Sequence, residues 1–265
     1  GEDILAKAST EAKAGQHFAD VLEGADLQIF QAVEEGLVAP YVSPEAAAYP
    51  EGASDPNGMW TVSRVNAVVI AYNTEHVKPE EAPKGYEDLL DPKWQGKVGV
   101  EQHDVALMAL MIEAWGEEEA MAFWTKLAEN QKPGIVKGHT ELAELTMAGE
   151  YEVTPTVYSH RVEKLKKKEA PLEWVRTDPV FSFNHMVSLA KDGPHPNAAK
   201  LFIDWFLSEE GQTVIGEIGR IPSRPGVGVD PPALTEGVNF YYAGEEVLDI
   251  YNEIAETWYE MFGIK

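Results

Sequence analysis

The sequence has 265 residues, with 21 Lys and Arg against 45 Asp and Glu, giving a formal charge of −24. That charge argues against backbone binding to nucleic acid and against docking on anionic membranes, and the lack of cysteine excludes disulfide scaffolds, thiol nucleophiles and iron–sulfur clusters. A 44% hydrophobic content suits one large α/β domain or two smaller lobes, and no apolar run reaches the roughly 18 residues a bilayer crossing needs.

In chain order, residues 2–14 read as a helix stopped at Gly15, His17–Leu22 as a short strand, and Leu27–Gly36 as a helix with Leu27, Phe30 and Val33 on one face. Residues 37–58, rich in Pro, Ala, Gly and Ser, read as surface loop with one turn of helix. Trp60–Asn73 is the strongest strand signal of the first third, dense in Val and Ile, and Lys97–Val100 is a second, shorter strand. Residues 105–129 read as two helices broken near Gly116, with Leu107, Leu110, Met111, Trp115, Phe123 and Trp124 at core spacing. Ile135–Gly138 is a strand leading into a short helix that Thr140 caps.

Val153–Tyr158 is a further strand, Arg161–Lys168 a basic helix, and Phe181–Ala190 a second long strand. Asn197–Leu207 reads as an amphipathic helix whose apolar face is Ala198, Leu201, Phe202, Trp205 and Phe206. Helices over Gly211–Gly219 and Val247–Phe262 complete the chain. Short strands alternating with helices predict an α/β protein with largely parallel pairing. Two long apolar strands bracketing an interior block predict two lobes with a ligand cleft between them.

No nucleophile elbow, zinc-protease motif, P-loop or dinucleotide fingerprint is present. Polar groups instead collect at strand ends. Thr156–Arg161 places Tyr158, His160 and Arg161 at a strand-to-helix turn, where a phenol, an imidazole and a guanidinium can hold an anion or a hard metal. The plainer alternative is a packed Tyr158 ring with His160 and Arg161 facing water.

Glu101-Gln102-His103-Asp104 follows a strand end, so His103 and Asp104 are candidate ligands, or Asp104 is a helix cap beside a solvated His103. His139 and Thr140 occupy a third such junction, where free backbone N–H groups can hold an anion. Asn184 and His185 interrupt the apolar pattern of the second long strand, which points them at a cleft. Trp60 is either a ring that closes on ligand or a core residue, and Arg64 either grips a carboxylate or phosphate or lies on the surface.

Taken together, WTVSRVNAVVIAYNT, DPKWQGKVGV, IVKGHTELAELTMAGEYEV, TVYSHR, NAAKLFIDWFLSEEGQ and GRIPSRPGV resemble the bacterial extracellular solute-binding proteins of ABC transporters. Within that family the sequence is similar to the ferric-iron-binding branch and its relatives for phosphorylated or anionic solutes. The resemblance implies a type II periplasmic-binding-protein-like α/β fold with lobes joined by crossing strands. Lobe 1 is expected at residues 1–64 with 186–235, and lobe 2 at 65–185 with 236–265.

The implied function is capture of a small ligand and its delivery to a membrane permease, by a monomer at the periplasm or outer cell face from which a leader peptide has been removed. No enzymatic activity and no cofactor are implied, with Fe(III) or a small anionic solute as the transported ligand. A metal-dependent hydrolase or lyase using His103, Asp104 and His160 is the competing reading.

Iron-binding members carry two adjacent tyrosines at the TVYSHR position. Tyr158 matches the second, and Val157 stands in the first place. The family's anion loop, small and Ser- or Gly-rich, is Glu101–Asp104 here, and a family arginine near the start of the first long strand is Asn66. The metal ligands expected on this basis are Tyr158, His103 and Asp104, with ligand contacts from Tyr158, His103, His139, Thr140, Trp60, Asn184, His185 and Arg64. Family members begin with a strand, a helix and a strand, about 35 to 45 residues, before the point where this sequence opens, and losing a central strand would strand backbone polar groups. The sequence is therefore expected to be a fragment, a clipped product or one piece of a split protein rather than a complete short variant, and in the split case a separate N-terminal fragment completing lobe 1 is the partner.

Overall fold

The computed structural model describes residues 2–242, 244 and 246–264. In chain order its elements are α1 (Glu2–Lys13), β1 (Val21–Ala25), α2 (Asp26–Glu34), β2 (Val38–Ala39), β3 (Thr61–Asn73), β4 (Gly99–Glu101), α3 (Val105–Trp115) and α4 (Glu117–Lys126). There follow β5 (Gly134–Val136), α5 (His139–Met147), β6 (Val153–Tyr158), α6 (Ser159–Lys166), β7 (Leu172–Val175) and β8 (Val180–Ala190). The last are α7 (Pro196–Leu207), α8 (Glu209–Glu217), β9 (Ile221–Pro222), β10 (Phe240–Tyr242) and α9 (Val247–Met261). No helix among the described residues is long and apolar enough to cross a membrane.

Two compact units form: unit 1 from Gly1–Asn66 and Phe183–Thr235, unit 2 from Ala67–Ser182 and Glu236–Lys265. The long strands β3 and β8 each pass from one unit into the other.

In unit 1, β1 and β2 pair antiparallel with β8, Val21 opposite Leu189 and Ala25 opposite His185. Leu22, Ile29, Ala32, Val38, Trp60, Val62 and Met186 form one apolar core there. A second gathers Tyr49, Val187, Leu189, Ala199, Ile203 and Leu207.

In unit 2, β6 and β7 pair antiparallel with β3, Val68 opposite Tyr158 and Ile70 opposite Val175. β4 pairs parallel with β5 and is bridged in parallel to β6 through Val98 and Val153. Val105–Met111 is apolar on almost every side, so α3 is a buried helix. Trp124 and Trp258, both fully buried, pack edge to face 5.0 Å apart on α4 and α9. Gly116, at φ +92°, makes the break between α3 and α4 that an L side chain would strain.

Several sequence expectations need correction. Parallel pairing is confined to a few short ladders, because the long strands β3 and β8 take mainly antiparallel neighbours. The first strand starts at Val21, not His17, since Gln16–Ala19 find no ladder partner. On α7 the buried stripe is Ala199, Ile203 and Leu207, whereas Leu201 is 71% exposed and Phe202 and Trp205 are largely open. Both stripes are apolar at helical spacing, so periodicity cannot choose between them. Thr140 does not cap α5: the cap position is Gly138, at φ +101°, and Thr140 lies exposed in the first turn.

Candidate functional site

The parallel strands β5, β4 and β6 of unit 2 end on one edge of their sheet, each running into a helix, the place where open α/β sheets hold ligands. Glu101 and Tyr158, the last residues of β4 and β6, and His139, the first residue of the helix after β5, come together here. Thr156, two residues before Tyr158 on β6, ties the edge. Its hydroxyl accepts the Glu101 N–H at 2.9 Å, and its carbonyl lies 2.7 Å from His139 Nδ1. A carbonyl can only accept, so Nδ1 carries a proton and Nε2 is the ring atom left for other partners.

Nε2 faces Asp104, whose Oδ1 is 3.5 Å away. Asp104 occupies the N-cap position of α3 yet makes no capping hydrogen bond, and its Oδ2 is buried without a partner. Burial pushes the Asp104 carboxyl up to about 7; the Glu101 charge acts in the same direction, against His139 and the Thr156 hydroxyl. Glu101, 4% exposed, directs Oε1 at the Gly138 N–H (2.8 Å) and Oε2 at the His103 N–H. Its carboxylate thus sits on the loop N–H groups that would otherwise suit a free anion. Glu101, Asp104 and His139 offer donor atoms all within 4.8 Å of one another.

The Tyr158 ring lies over His139 with centroids 4.2 Å apart and stacks on His160 at 5.5 Å and 15°. His160 is buried. The His103 ring is turned to Tyr259, with Nδ1 3.5 Å from the phenol oxygen, so it is not grouped with Asp104.

Unit 1 holds a second polar cluster, closed on itself. The Asn66 amide donates to His185 Nε2 at 2.9 Å, which leaves Nδ1 to donate to Glu23 at 3.1 Å. Arg64 completes the loop, 3.1 Å from Glu23 Oε1 and 3.2 Å from Asn66 Oδ1. Burial lowers the His185 pKa against the pull of Glu23, so the imidazole is held neutral. Burial would raise Glu23, but the His185 hydrogen bond and the Arg64 charge outweigh it and hold the carboxyl low. Asn184 gives its backbone N–H to Asp26 Oδ2 at 3.0 Å. Trp60 is a core ring, edge to face with Phe30 at 5.9 Å.

Of the residues singled out from sequence, the structure therefore gathers Asp104, His139 and Tyr158 in unit 2 and Arg64 and His185 in unit 1. It places Thr140 outside the cluster's hydrogen bonds, Trp60 in a core and His103 against Tyr259. Glu101, Thr156 and Asn66 lie in segments the sequence marks but were not among the expected ligand contacts, and Glu23 was not marked at all. Thr156 had one legible signal, alternation with Tyr158 on a strand; Glu23 had none, because its partners are 41 and 162 residues away.

The profile of the bacterial extracellular solute-binding proteins matches residues 18–246. Iron uptake protein A1 of Synechocystis is 30% identical over 217 residues, 75% of this chain and 60% of that protein. The chain spans about 60% of the length of the curated relatives it matches first. Among solved structures, iron-bound HitA from Pseudomonas aeruginosa superposes with TM-score 0.85 at 22% identity, covering 98% of this chain and 87% of that one. AfuA from Actinobacillus pleuropneumoniae, bound to exogenous fructose-6-phosphate, gives TM-score 0.85 at 25% identity over 99% and 88% of the two chains. The fold is that of the periplasmic binding proteins, and the chain belongs to the bacterial extracellular solute-binding protein family.

Proposed function

We infer that this chain is the solute-binding component of an ABC import system, working in the periplasm or at the outer face of the membrane and handing its ligand to a membrane permease. It binds and releases; it does not turn a substrate over. The observation that carries the reading is the polar edge of unit 2, where three strand ends present Tyr158, His139 and two buried carboxylates within a fold shared with binding proteins. The names of the relatives supply the two ligand classes, iron and a small phosphorylated or phosphonate solute. A hydrolase built on His103, Asp104 and His160 has less support, because the His103 ring turns to Tyr259 and His160 stacks on Tyr158.

Calorimetric titration of the purified chain with ferric citrate and with fructose-6-phosphate tests the reading. Saturable one-to-one binding of either, with no product formed, is expected, and Tyr158→Ala weakens it at least about tenfold, the loss of about 1.4 kcal/mol of contact. Product release, or a Tyr158→Ala chain that binds as well as the parent, overturns it.

A further inference from the structure

The edge of unit 2 gathers ligand-type atoms around a buried carboxylate oxygen that has no hydrogen-bond partner. His139 Nδ1 is committed as a donor to the Thr156 carbonyl, which leaves Nε2, 3.5 Å from Asp104 Oδ1, as the ring atom open to a ligand. Asp104 is 4% exposed, and its second oxygen has no partner. Two buried carboxylates with an imidazole nitrogen 3.5 Å from one of them call for positive charge among them, which a proton or a metal cation supplies.

We propose that Glu101, Asp104 and His139 hold a divalent metal ion, with His139 Nε2 and the Asp104 carboxylate as the leading donors and Glu101 completing the set. The separation fits: two donors each about 2.1 Å from a tetrahedral ion lie roughly 3.4 Å apart, against 3.5 Å from His139 Nε2 to Asp104 Oδ1. The support fits as well. A metal-binding imidazole characteristically gives its other N–H to a carbonyl or carboxylate, which orients the ring, and the Thr156 carbonyl takes that role at 2.7 Å. Glu101 is fixed by the N–H groups of Gly138 and His103, and each of its oxygens keeps a further lone pair.

One nitrogen with two carboxylates is a donor set for Zn²⁺ or Mn²⁺, with nothing to attract a soft thiophile. The same charges disfavour a phosphate at this edge, since Glu101 already covers the loop N–H groups. The site rests on the binding reading above and narrows it, naming a metal cation as what unit 2 holds.

The test is titration of the chelator-treated full chain with ZnCl₂, with MnCl₂ and, separately, with inorganic phosphate, followed by native mass spectrometry. One Zn²⁺ or Mn²⁺ per chain is expected, with affinity falling at least about tenfold in Asp104→Asn and in His139→Ala. His195→Ala, which removes an exposed His–Asp20 pair elsewhere, leaves it unchanged. Asp104→Asn is nearly isosteric, and circular dichroism of both variants checks that they are folded.

No metal uptake overturns the proposal and means that Asp104 and His139 share a proton instead. Metal uptake that survives both substitutions overturns it too, as does phosphate binding lost in His139→Ala. If the metal titration fails while ferric citrate or fructose-6-phosphate still binds in a Tyr158-dependent way, only this site falls. If metal binds but cells lacking the chain import as well as before, only the transport reading falls.

Discussion

Each unit carries a cluster of an imidazole, carboxylate and neighbouring polar groups, yet the two are finished differently. In unit 1, Arg64, Glu23, His185 and Asn66 close a loop of hydrogen bonds and an ion pair in which every member has a partner. In unit 2, Asp104 keeps a buried Oδ2 without a partner, and His139 Nε2 stands 3.5 Å from its other oxygen. A satisfied network of this kind holds structure in place, whereas an unfinished one marks a place for a ligand, because the missing partner has to come from outside. Asp26 sharpens the contrast. It is as buried as Asp104 and is likewise pushed up to about 7 by burial, but its oxygens take the N–H groups of Leu27 and Asn184.

The largest expected effect breaks the unfinished cluster. Because the Asp104 carboxyl moves from 3.8 to about 7 on folding, the folded chain holds more protons than the unfolded one between those values. Stability of the metal-free chain should therefore decline as pH rises from about 4 to about 7, Asp26 contributing in the same direction. Asp104→Asn removes its share, raising stability at pH 8 by roughly 3–4 kcal/mol and flattening the profile. Urea melts at pH 5 and pH 8 with chelator present measure this; a variant with the parent's pH slope would show that Asp104 is compensated after all.

A smaller effect of opposite sign is expected from the closed loop. Glu23→Ala leaves the His185 Nδ1–H and one side of Arg64 without their acceptor, at a cost of about 1–3 kcal/mol, moderated by the 29% exposure of Glu23. The same melts at pH 7 decide it, and an unchanged midpoint would mean that the loop contributes nothing to stability. The smallest effect belongs to α7. Leu201→Ala should change stability by less than about 0.5 kcal/mol, as exposed sites do; a loss near that of a buried leucine would show that a partner covers this face in solution.

The family resemblance rested on segments with distinctive local chemistry, and the strongest elements were equally local. Trp60–Asn73 reads as a strand because its β-branched run suits burial on both faces, and β3 spans Thr61–Asn73. Val153–Tyr158 is β6 with the same ends, and Gly116 breaks the helix pair where an L residue would be strained. Which apolar stripe of α7 goes inward was not local: Leu201 and Ile203 are equally apolar, and only the neighbours in unit 1 select Ile203.

The sequence alone determined the kind of protein this is, and it marked the strand ends at Glu101–Asp104, His139 and Tyr158 as the chemically unusual places, because composition, turn chemistry and short-range periodicity are written within a few residues. Tertiary structure decided how those ends combine. It turned His103 away to Tyr259, set Glu101 on the N–H groups of Gly138 and His103, and left Asp104 facing Nε2 of His139. Hydrogen-bond direction and burial depend on groups dozens of residues apart. No local pattern encodes them, and they are what separate a finished polar network from an open one.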